Sequence, residues 1–303
     1  MLSVALIGLA LCLPGAAASS SSQKSFATAE AAAQALLAAA EADDVAALLL
    51  IFGPSGKQVL SAGDPVQDKK HRAAFVDKAK KSMKLEKDPT NPNRVLIAIG
   101  EDDFPFPIPL TKAPDNQWRF DIDEGKFEVL ARRIGSNELD AIAVCSGYVE
   151  SQFKYAEEDH NNNNVREYAQ RFVSSPGKQD GLYSPDAPNA LASPISIRIK
   201  EAAVEGYTKE GDKPVPYHGY YFKILKGQGP NAAGGANDYL QRGLMIGGFA
   251  LIAWPSEYGS SGIKTFQVNQ DDIIYEKDLG PGTAKVAQAI TKFNPDKTWR
   301  VLR

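Results

Sequence analysis

The chain has 303 residues, of which 43% are hydrophobic and 23% charged, with a net charge of −3 and a pI near 5.8. This composition is that of a globular protein long enough for two domains, and it excludes an extensively disordered chain. The slight negative charge gives no general attraction to nucleic acid or to an anionic membrane, so we expect neither as a partner.

An apolar run, Leu2–Leu13, opens the chain and is followed by Pro14-Gly15 and the small residues Ala16–Ala18. This order is typical of a secretory signal peptide, and the run is too short for a stable membrane anchor. We predict a signal peptide over 1–18, cleaved after Ala18, then a linker over 19–25. The mature protein is expected to be periplasmic or secreted, with no stable membrane span. No Lys or Arg precedes the run, so either the true start lies upstream or the free amino terminus supplies the charge.

Cleavage would remove Cys12 and leave Cys145 as the single cysteine, which excludes an internal disulfide. Cys145 lies in an apolar helical pattern, so we predict a buried thiol rather than a reactive one.

Helical spacing and capping residues predict three helices after the linker. Thr28 can cap the first, and Asp44 can cap a second that ends at Gly53. The third is predicted over 68–84, with Phe75 and Val76 inward and its lysines in solvent.

Three strands are predicted next, over 95–99, 104–110 and 118–122, the last entered through an Asp115-Asn116 turn. The second alternates apolar residues with proline, which predicts an edge strand or an extended segment. A helix over 124–134 follows, and Gly135 is expected to end it. The order over 26–134 resembles nuclear-transport-factor-2-like domains, cone-shaped folds that often hold a small-molecule pocket. The resemblance implies a small antiparallel sheet with helices, and a cavity lined by Phe106, Trp118 and Phe120.

A second domain is predicted over 135–303. Ser136 can cap a long amphipathic helix over 137–158, with Leu139, Ile142, Val149, Phe153 and Ala156 on one stripe. A loop over 174–194 and a short helix over 195–205 come next. The remaining predicted elements are strands over 219–226, 247–254, 262–269 and 272–277, a helix over 283–293 and a last strand over 298–301.

This second half resembles the globular heads of type IV pilins and pseudopilins, in which a helix packs on an antiparallel sheet of about four strands. The resemblance rests on the helix start at 137–142, on 219–224 and on 253–274. In pilins that helix continues directly from the leader, whereas here it is internal and preceded by Arg132-Arg133, which argues against assembly into a conventional pilus. The fold class expected for the whole chain is therefore α+β.

The mature chain also resembles a family of secreted bacterial proteins known as domain of unknown function 2950. The resemblance implies a compartment and an architecture but no activity. It is carried by five stretches: 132–139, 167–171, 175–183, 217–221 and 243–249.

The best metal candidate is the loop with Asp159, Asn161, Asn163 and Glu167 at positions 1, 3, 5 and 9 of a calcium-loop spacing. Asn164 replaces the usual glycine, and Gln170 stands where a bidentate Glu should close the shell. The alternative is a polar loop that ends the helix. No other cofactor is predicted.

An aromatic cluster around His218 is the candidate ligand-binding surface, because aromatic rings can stack on a ring or a sugar. The alternative is a structural histidine at the start of a strand. The predicted ligand-binding residues are Tyr217, His218, Tyr220, Tyr221 and, in the first domain, Trp118.

Three hypotheses on function follow. The first is a non-enzymatic interaction or structural protein of the bacterial envelope, with an unknown envelope protein as its partner. The second is a small-ligand-binding protein that uses the cavity of the first domain. The third is a hydrolase that uses His218 or the carboxylates Asp102, Asp103, Asp121, Asp123 and Glu124.

Overall fold

The computed structural model describes residues 23–187, 192–205, 207 and 215–302. The predicted signal peptide and its cleavage site lie outside these residues. Within them the helices are α1 (Ala29–Glu41), α2 (Val45–Phe52), α3 (Lys57–Leu60), α4 (Pro65–Lys81), α5 (Ile122–Tyr155), α6 (Pro194–Glu205) and α7 (Thr283–Ala289).

The strands of the described residues number β1 to β13, and the architecture is α+β, as predicted. They are β1 (Met83–Lys87), β2 (Arg94–Ile99), β3 (Phe104–Lys112), β4 (Trp118–Phe120), β5 (Tyr220–Leu225), β6 (Gly227–Gln228), β7 (Asn237–Asp238), β8 (Leu240–Gln241), β9 (Leu244–Met245), β10 (Ala250–Pro255), β11 (Lys264–Asn269), β12 (Tyr275–Asp278) and β13 (Arg300–Val301).

The first half combines α1 to α4 with an antiparallel sheet of order β1-β2-β3-β4. The predicted helix caps are confirmed, because Thr28 and Asp44 accept hydrogen bonds from the first turns of α1 and α2. The prediction for α4 runs too long: the helix ends at Lys81 and Met83 begins β1. Ser82 has an extended backbone at this point, so Met83 pairs with Ile99 instead of continuing the helix.

The proline-rich strand β3 is not an edge strand along its whole length, which corrects the prediction. Its C-terminal end, Leu110–Lys112, lies between β2 and β4. The prolines are accommodated because Pro107 and Pro109 fall in the irregular stretch between the pairs Phe106↔Ile97 and Leu110↔Val95, where the ladder does not require their missing N–H groups. Pro105 pairs with β2 in the part of β3 that β4 does not reach.

One uninterrupted helix, α5, replaces the two helices predicted on either side of Gly135. A glycine inside a helix costs about 1 kcal/mol relative to alanine, which 34 residues of otherwise continuous helix can offset. The N-terminal end of α5 packs on β3, and its C-terminal part packs on the second sheet. The two halves of the molecule are therefore joined by a continuous helix rather than by a break.

The apolar stripe predicted for this helix is wrong in part. Leu139 is 69% and Phe153 47% exposed, whereas Val149 is buried. Phe127 on the earlier part of the helix is also largely exposed. The buried face consists mainly of Ala141, Val144, Cys145, Tyr148, Val149 and Tyr155.

The second sheet has the order β13-β12-β11-β10-β5 and is antiparallel throughout. All five strands correspond to predicted ones, and β13, predicted over 298–301, is the short strand at one edge. The inner strand β10, between β11 and β5, is buried along its whole length, since α5 and α7 both contact it. Cys145 is fully buried beneath this layer, as predicted, and burial raises the pKa of its thiol to about 12.

Candidate functional site

A cavity of about 200 Å³ lies within the first half of the molecule. Helices α1 to α5 and strand β3 all contribute to its wall. Most of the wall is apolar, so a bound molecule would lose water over the part of its surface that contacts the wall. The lining residues are Leu36, Ala40, Leu48, Phe52, Val59, Leu60, Asp68, His71, Arg72, Phe75, Phe106, Pro107, Ile108, Val129 and Arg133.

Helix α4 supplies most of the polar groups of this cavity. Its cavity-lining residues are spaced three and four positions apart, which places them on one face of the helix: Asp68, His71, Arg72 and Phe75. Pro65 at the first turn and Asp64 at the N-cap fix where this helix begins. One wall of the cavity therefore carries both charged and aromatic side chains.

Asp68 and Arg72 already have partners outside the cavity. Both carboxylate oxygens of Asp68 accept the N–H of Ala62 at 3.1 Å. Burial raises the pKa of the Asp68 carboxyl, although the Ala62 hydrogen bond acts in the opposite direction. Arg72 donates its Nε–H to Asp43 at 2.7 Å.

His71 presents its imidazole to the cavity without a hydrogen bond among the described residues. The residue also keeps accessible surface. The surrounding protein lowers the pKa of His71, and the charge of Arg133 lowers it further. The ring is therefore neutral near pH 7, with one N–H donor and one acceptor.

Arg133 enters the cavity from α5 and is only 8% exposed. Its guanidinium donates to the carbonyl oxygens of Gln58, at 2.9 Å, and Val59, and more weakly to the hydroxyl of Ser260 at 3.5 Å. Burial lowers its pKa, and the charges of Asp68 and Glu257 only partly oppose this. No carboxylate oxygen among the described residues lies within 4.0 Å of it.

A second polar group lies between the two halves, and we call it the histidine clamp: Asp140, His218 and Glu205. His218 Nδ1 lies 2.9 Å from Asp140 on α5, and Nε2 lies 3.0 Å from Glu205 on α6. Burial lowers the pKa of His218, but the hydrogen bonds to the two carboxylates more than offset it, so the pKa is raised. The hydrogen bond to His218 lowers the pKa of Asp140.

Asp64 connects the clamp region to the helix that lines the cavity. It is buried, and its Oδ1 accepts the N–H of Gln67 as the N-cap of α4. Its Oδ2 accepts both the Tyr207 hydroxyl at 2.8 Å and the Gly219 N–H at 2.9 Å. Gly219 has φ 76°, and a Cβ there would lie 2.5 Å from Asn137 Nδ2, so this contact requires glycine.

The aromatic residues predicted around His218 are brought together only in part. Tyr217 stacks on His218 with ring centroids 4.1 Å apart. Tyr220 is fully buried beneath the sheet and donates to the carbonyl of Lys264, whereas Tyr221 is half-buried beside Trp254. Ligand binding at these residues stays a prediction.

In the first half, Phe106 lines the cavity as predicted. Phe120 is buried against Phe52, with centroids 5.3 Å apart, and Trp118 is half-buried on β4, where its backbone pairs with Phe26. A ligand contact of Trp118 stays a prediction.

In the Asp159 loop, the carboxylate of Asp159 accepts backbone N–H groups of Asn161, Asn163 and Asn164. The side-chain amide of Asn161 donates to Glu167, which also accepts the N–H of Met245. Asn163 accepts the N–H of Val165. These contacts give a loop held by its own hydrogen bonds. Across the described ranges, no group of three or more His, Cys, Asp or Glu side chains is arranged to hold a metal ion.

Four of the five carboxylates considered for hydrolysis have structural partners. Asp121 caps α5, Asp102 and Asp103 pair with Lys78 and Lys84, and Glu124 pairs with Arg94.

Sequence reasoning did not identify the cavity residues of α4 or the role of Arg133. His71 was expected at the surface with the lysines; it is exposed, and it also lines the cavity. The spacing of Asp64, Asp68, His71 and Phe75 contained the signal, because it places three polar groups beside an aromatic one on a single helical face.

A family model described as "Protein of unknown function (DUF2950)" matches residues 23–302. No curated protein and no solved structure matches the chain. In the part of the chain that the structure describes, no helix is both long and apolar enough to cross a membrane.

Proposed function

The chain belongs to this family of proteins of unknown function, and we propose that it is an exported protein that binds a small, mostly apolar ligand in the cavity of its first half. The observation that carries the proposal is a cavity of about 200 Å³ whose apolar wall is interrupted by a few polar side chains. Pre-formed apolar cavities with few convergent polar groups are the usual form of small-molecule sites.

The size of the cavity limits the ligand. An apolar cavity of about 150 Å³ in another protein stays dry and binds benzene, so about 200 Å³ accommodates one ring with a short substituent. Phe52, Phe75 and Phe106 offer aromatic contacts to such a ring.

Export is the second part of the proposal. It is supported by the apolar run Leu2–Leu13 and the small residues Ala16–Ala18, which predict cleavage after Ala18 and a periplasmic or secreted protein. N-terminal sequencing of the protein recovered from periplasm and medium tests this. A cytoplasmic protein that retains residues 1–18 would contradict it.

The binding proposal is tested with neutral aromatic probes, benzyl alcohol and phenylacetamide, in thermal unfolding. We expect both to raise the Tm of the wild type in a concentration-dependent way. Ala40→Leu should abolish the shift, because Ala40 is buried on α1 and lines the cavity, where the added methyl groups would occupy its volume.

The matched control is Ala38→Leu on the same helix, where the side chain is exposed. This variant should bind the probes as the wild type does. An Ala40→Leu variant that binds them equally well would show that they bind elsewhere, and a wild type with no shift would contradict the proposal.

The other hypotheses stay predictions. The envelope interaction role is tested by pull-down of defined envelope proteins from extracts, and the hydrolase role by activity screening of the wild type against His218→Ala and Asp121→Ala. In the hydrolase screen, equal activity of the wild type and both variants would remove these residues from any reaction.

A further inference from the structure

Arg133 is the buried cation of the cavity that lacks an ion-pair partner among the described residues. Buried charges in proteins are normally paired with an opposite charge, because taking an ion out of water is costly. Arg133 is only 8% exposed, yet no carboxylate among the described residues lies within 4.0 Å of its guanidinium. The carbonyl oxygens of Gln58 and Val59 and the hydroxyl of Ser260 satisfy only some of its five N–H donors.

The other charged groups around the cavity do not supply this partner. Both oxygens of Asp68 accept the Ala62 N–H, and the charges of Asp68 and Glu257 act on Arg133 only from beyond 4.0 Å. Arg72 is neutralised by Asp43. The cavity therefore contains one cationic group that is partly free to bind.

His71 adds a second donor on the adjacent helix. Its ring is neutral and forms no hydrogen bond within the described part of the chain, so one N–H is available. A guanidinium and an imidazole N–H beside an aromatic wall form a recognition pattern for a carboxylate on an apolar body.

We propose that the ligand is a small monocarboxylate, an aromatic or short aliphatic acid, whose carboxylate binds at Arg133 and whose apolar part occupies the cavity. This rests on the proposed function, because it names the class of ligand for the same cavity. The carboxylate supplies the charge that Arg133 lacks, and the phenyl-sized body fits the volume available.

The test is calorimetric titration of the wild type with three probes of nearly equal shape: phenylacetate, phenylacetamide and 2-phenylethylamine. Phenylacetate should bind at least about tenfold more tightly than the amide, because charge-assisted hydrogen bonds are roughly twice as strong as neutral ones. The amine should bind most weakly, since its cation would face Arg133.

Arg133→Met should reduce the affinity for phenylacetate by about tenfold or more while changing that for phenylacetamide by less than about threefold. The matched control is Arg132→Met, which removes the preceding arginine; Arg132 is exposed and paired with Glu128. This control should leave both affinities unchanged.

Arg133 also holds the carbonyls of Gln58 and Val59, so the Met variant can lose stability. The comparison of probes on the wild type requires no variant and decides the proposal by itself. An amide that binds as tightly as the acid, or an amine that binds more tightly, overturns the carboxylate but leaves the cavity as a ligand site. Failure of all three probes to bind overturns both.

Discussion

Both ring nitrogens of His218 face carboxylates, and this determines the charge state of the residue. A neutral imidazole has one N–H donor, so it can satisfy one of the two partners, whereas the imidazolium satisfies both. The clamp joins α5 and α6 to the turn that precedes β5, and Lys70 on α4 also pairs with Glu205. These contacts are those of a structural histidine at the start of a strand, which was the alternative to a ligand-binding residue.

The clamp predicts that stability depends on pH through His218. A folded pKa above the usual value of about 6.5 means that the stabilisation is fully present below pH ~6.5 and is lost as pH rises through the folded pKa. Asp140 and Glu205 have lowered pKa values, so the same contacts weaken as pH falls toward the pKa values of the two carboxyls.

Near pH 6 we expect the free energy of unfolding of the wild type to exceed that of His218→Gln by on the order of 1 kcal/mol. The expected difference is small because Asp140 is partly exposed to solvent, which screens its contact with His218. The difference should shrink toward pH 9. Urea unfolding at several pH values measures it, and subtracting the variant cancels the contribution of His71. Asp140→Asn should reduce the same dependence, whereas a difference that is constant from pH 6 to 9 would contradict the clamp.

At the scale of elements, the sequence predicted local features well and a long-range one poorly. Thr28 and Asp44 act within one turn of their own helices, so their caps could be predicted from neighbouring residues. Gly135 also looked like a helix end, but whether a glycine ends a helix depends on what packs on both sides of it. Here β3 holds the helix before Gly135, and the second sheet holds it afterwards.

The same limit applies to the candidate site. Phe106 was expected in the cavity as part of the small-ligand hypothesis, and it lines the cavity. The unpaired state of Arg133 depends on chain segments far away in sequence, such as Gln58, Val59 and Ser260. Local pattern cannot show which charges lack a partner.

Two glycines of α5 give a direct test of the continuous helix. A Cβ at Gly135 would meet nothing within 4 Å, so Gly135→Ala should stabilise the protein by up to about 1 kcal/mol. Gly125→Ala should have the opposite effect on stability, because a Cβ there would lie 2.6 Å from the Cα of Ile108 on β3. It should destabilise the protein by about 1–3 kcal/mol.

Urea unfolding of both alanine variants provides the measurement. Destabilisation by Gly135→Ala would indicate that the helix ends at this glycine, as the sequence alone suggested.

At the scale of the whole molecule, the two hydrophobic cores are joined by buried polar contacts as well as by α5. Asp64 binds Tyr207 and Gly219 from the other half, and Arg133 donates to the hydroxyl of Ser260, which also lies there. These contacts lie beside the cavity, so the position of α4 depends on the second half.

Asp64→Asn tests this connection. The amide has one acceptor oxygen where the carboxylate has two, so either the N-cap of α4 or the Gly219 N–H loses its partner. We expect a loss of about 1–3 kcal/mol in unfolding free energy, because a buried donor is left unsatisfied. Asp44→Asn, at the exposed N-cap of α2, is the control and should change stability by less than about 0.5 kcal/mol. Equal effects of the two substitutions would contradict a connecting role for Asp64.

The cavity of the first half is, in our proposal, a binding site for a small apolar carboxylate. A crystal structure of the protein with phenylacetate tests it most directly. We expect the ring to pack against the aromatic side chains of Phe75 and Phe106, whose centroids lie 5.3 Å apart, and the carboxylate to lie within hydrogen-bond distance of Arg133. Phenylacetate bound outside the cavity, or a cavity closed by its own side chains, would contradict a carboxylate-binding site in this cavity.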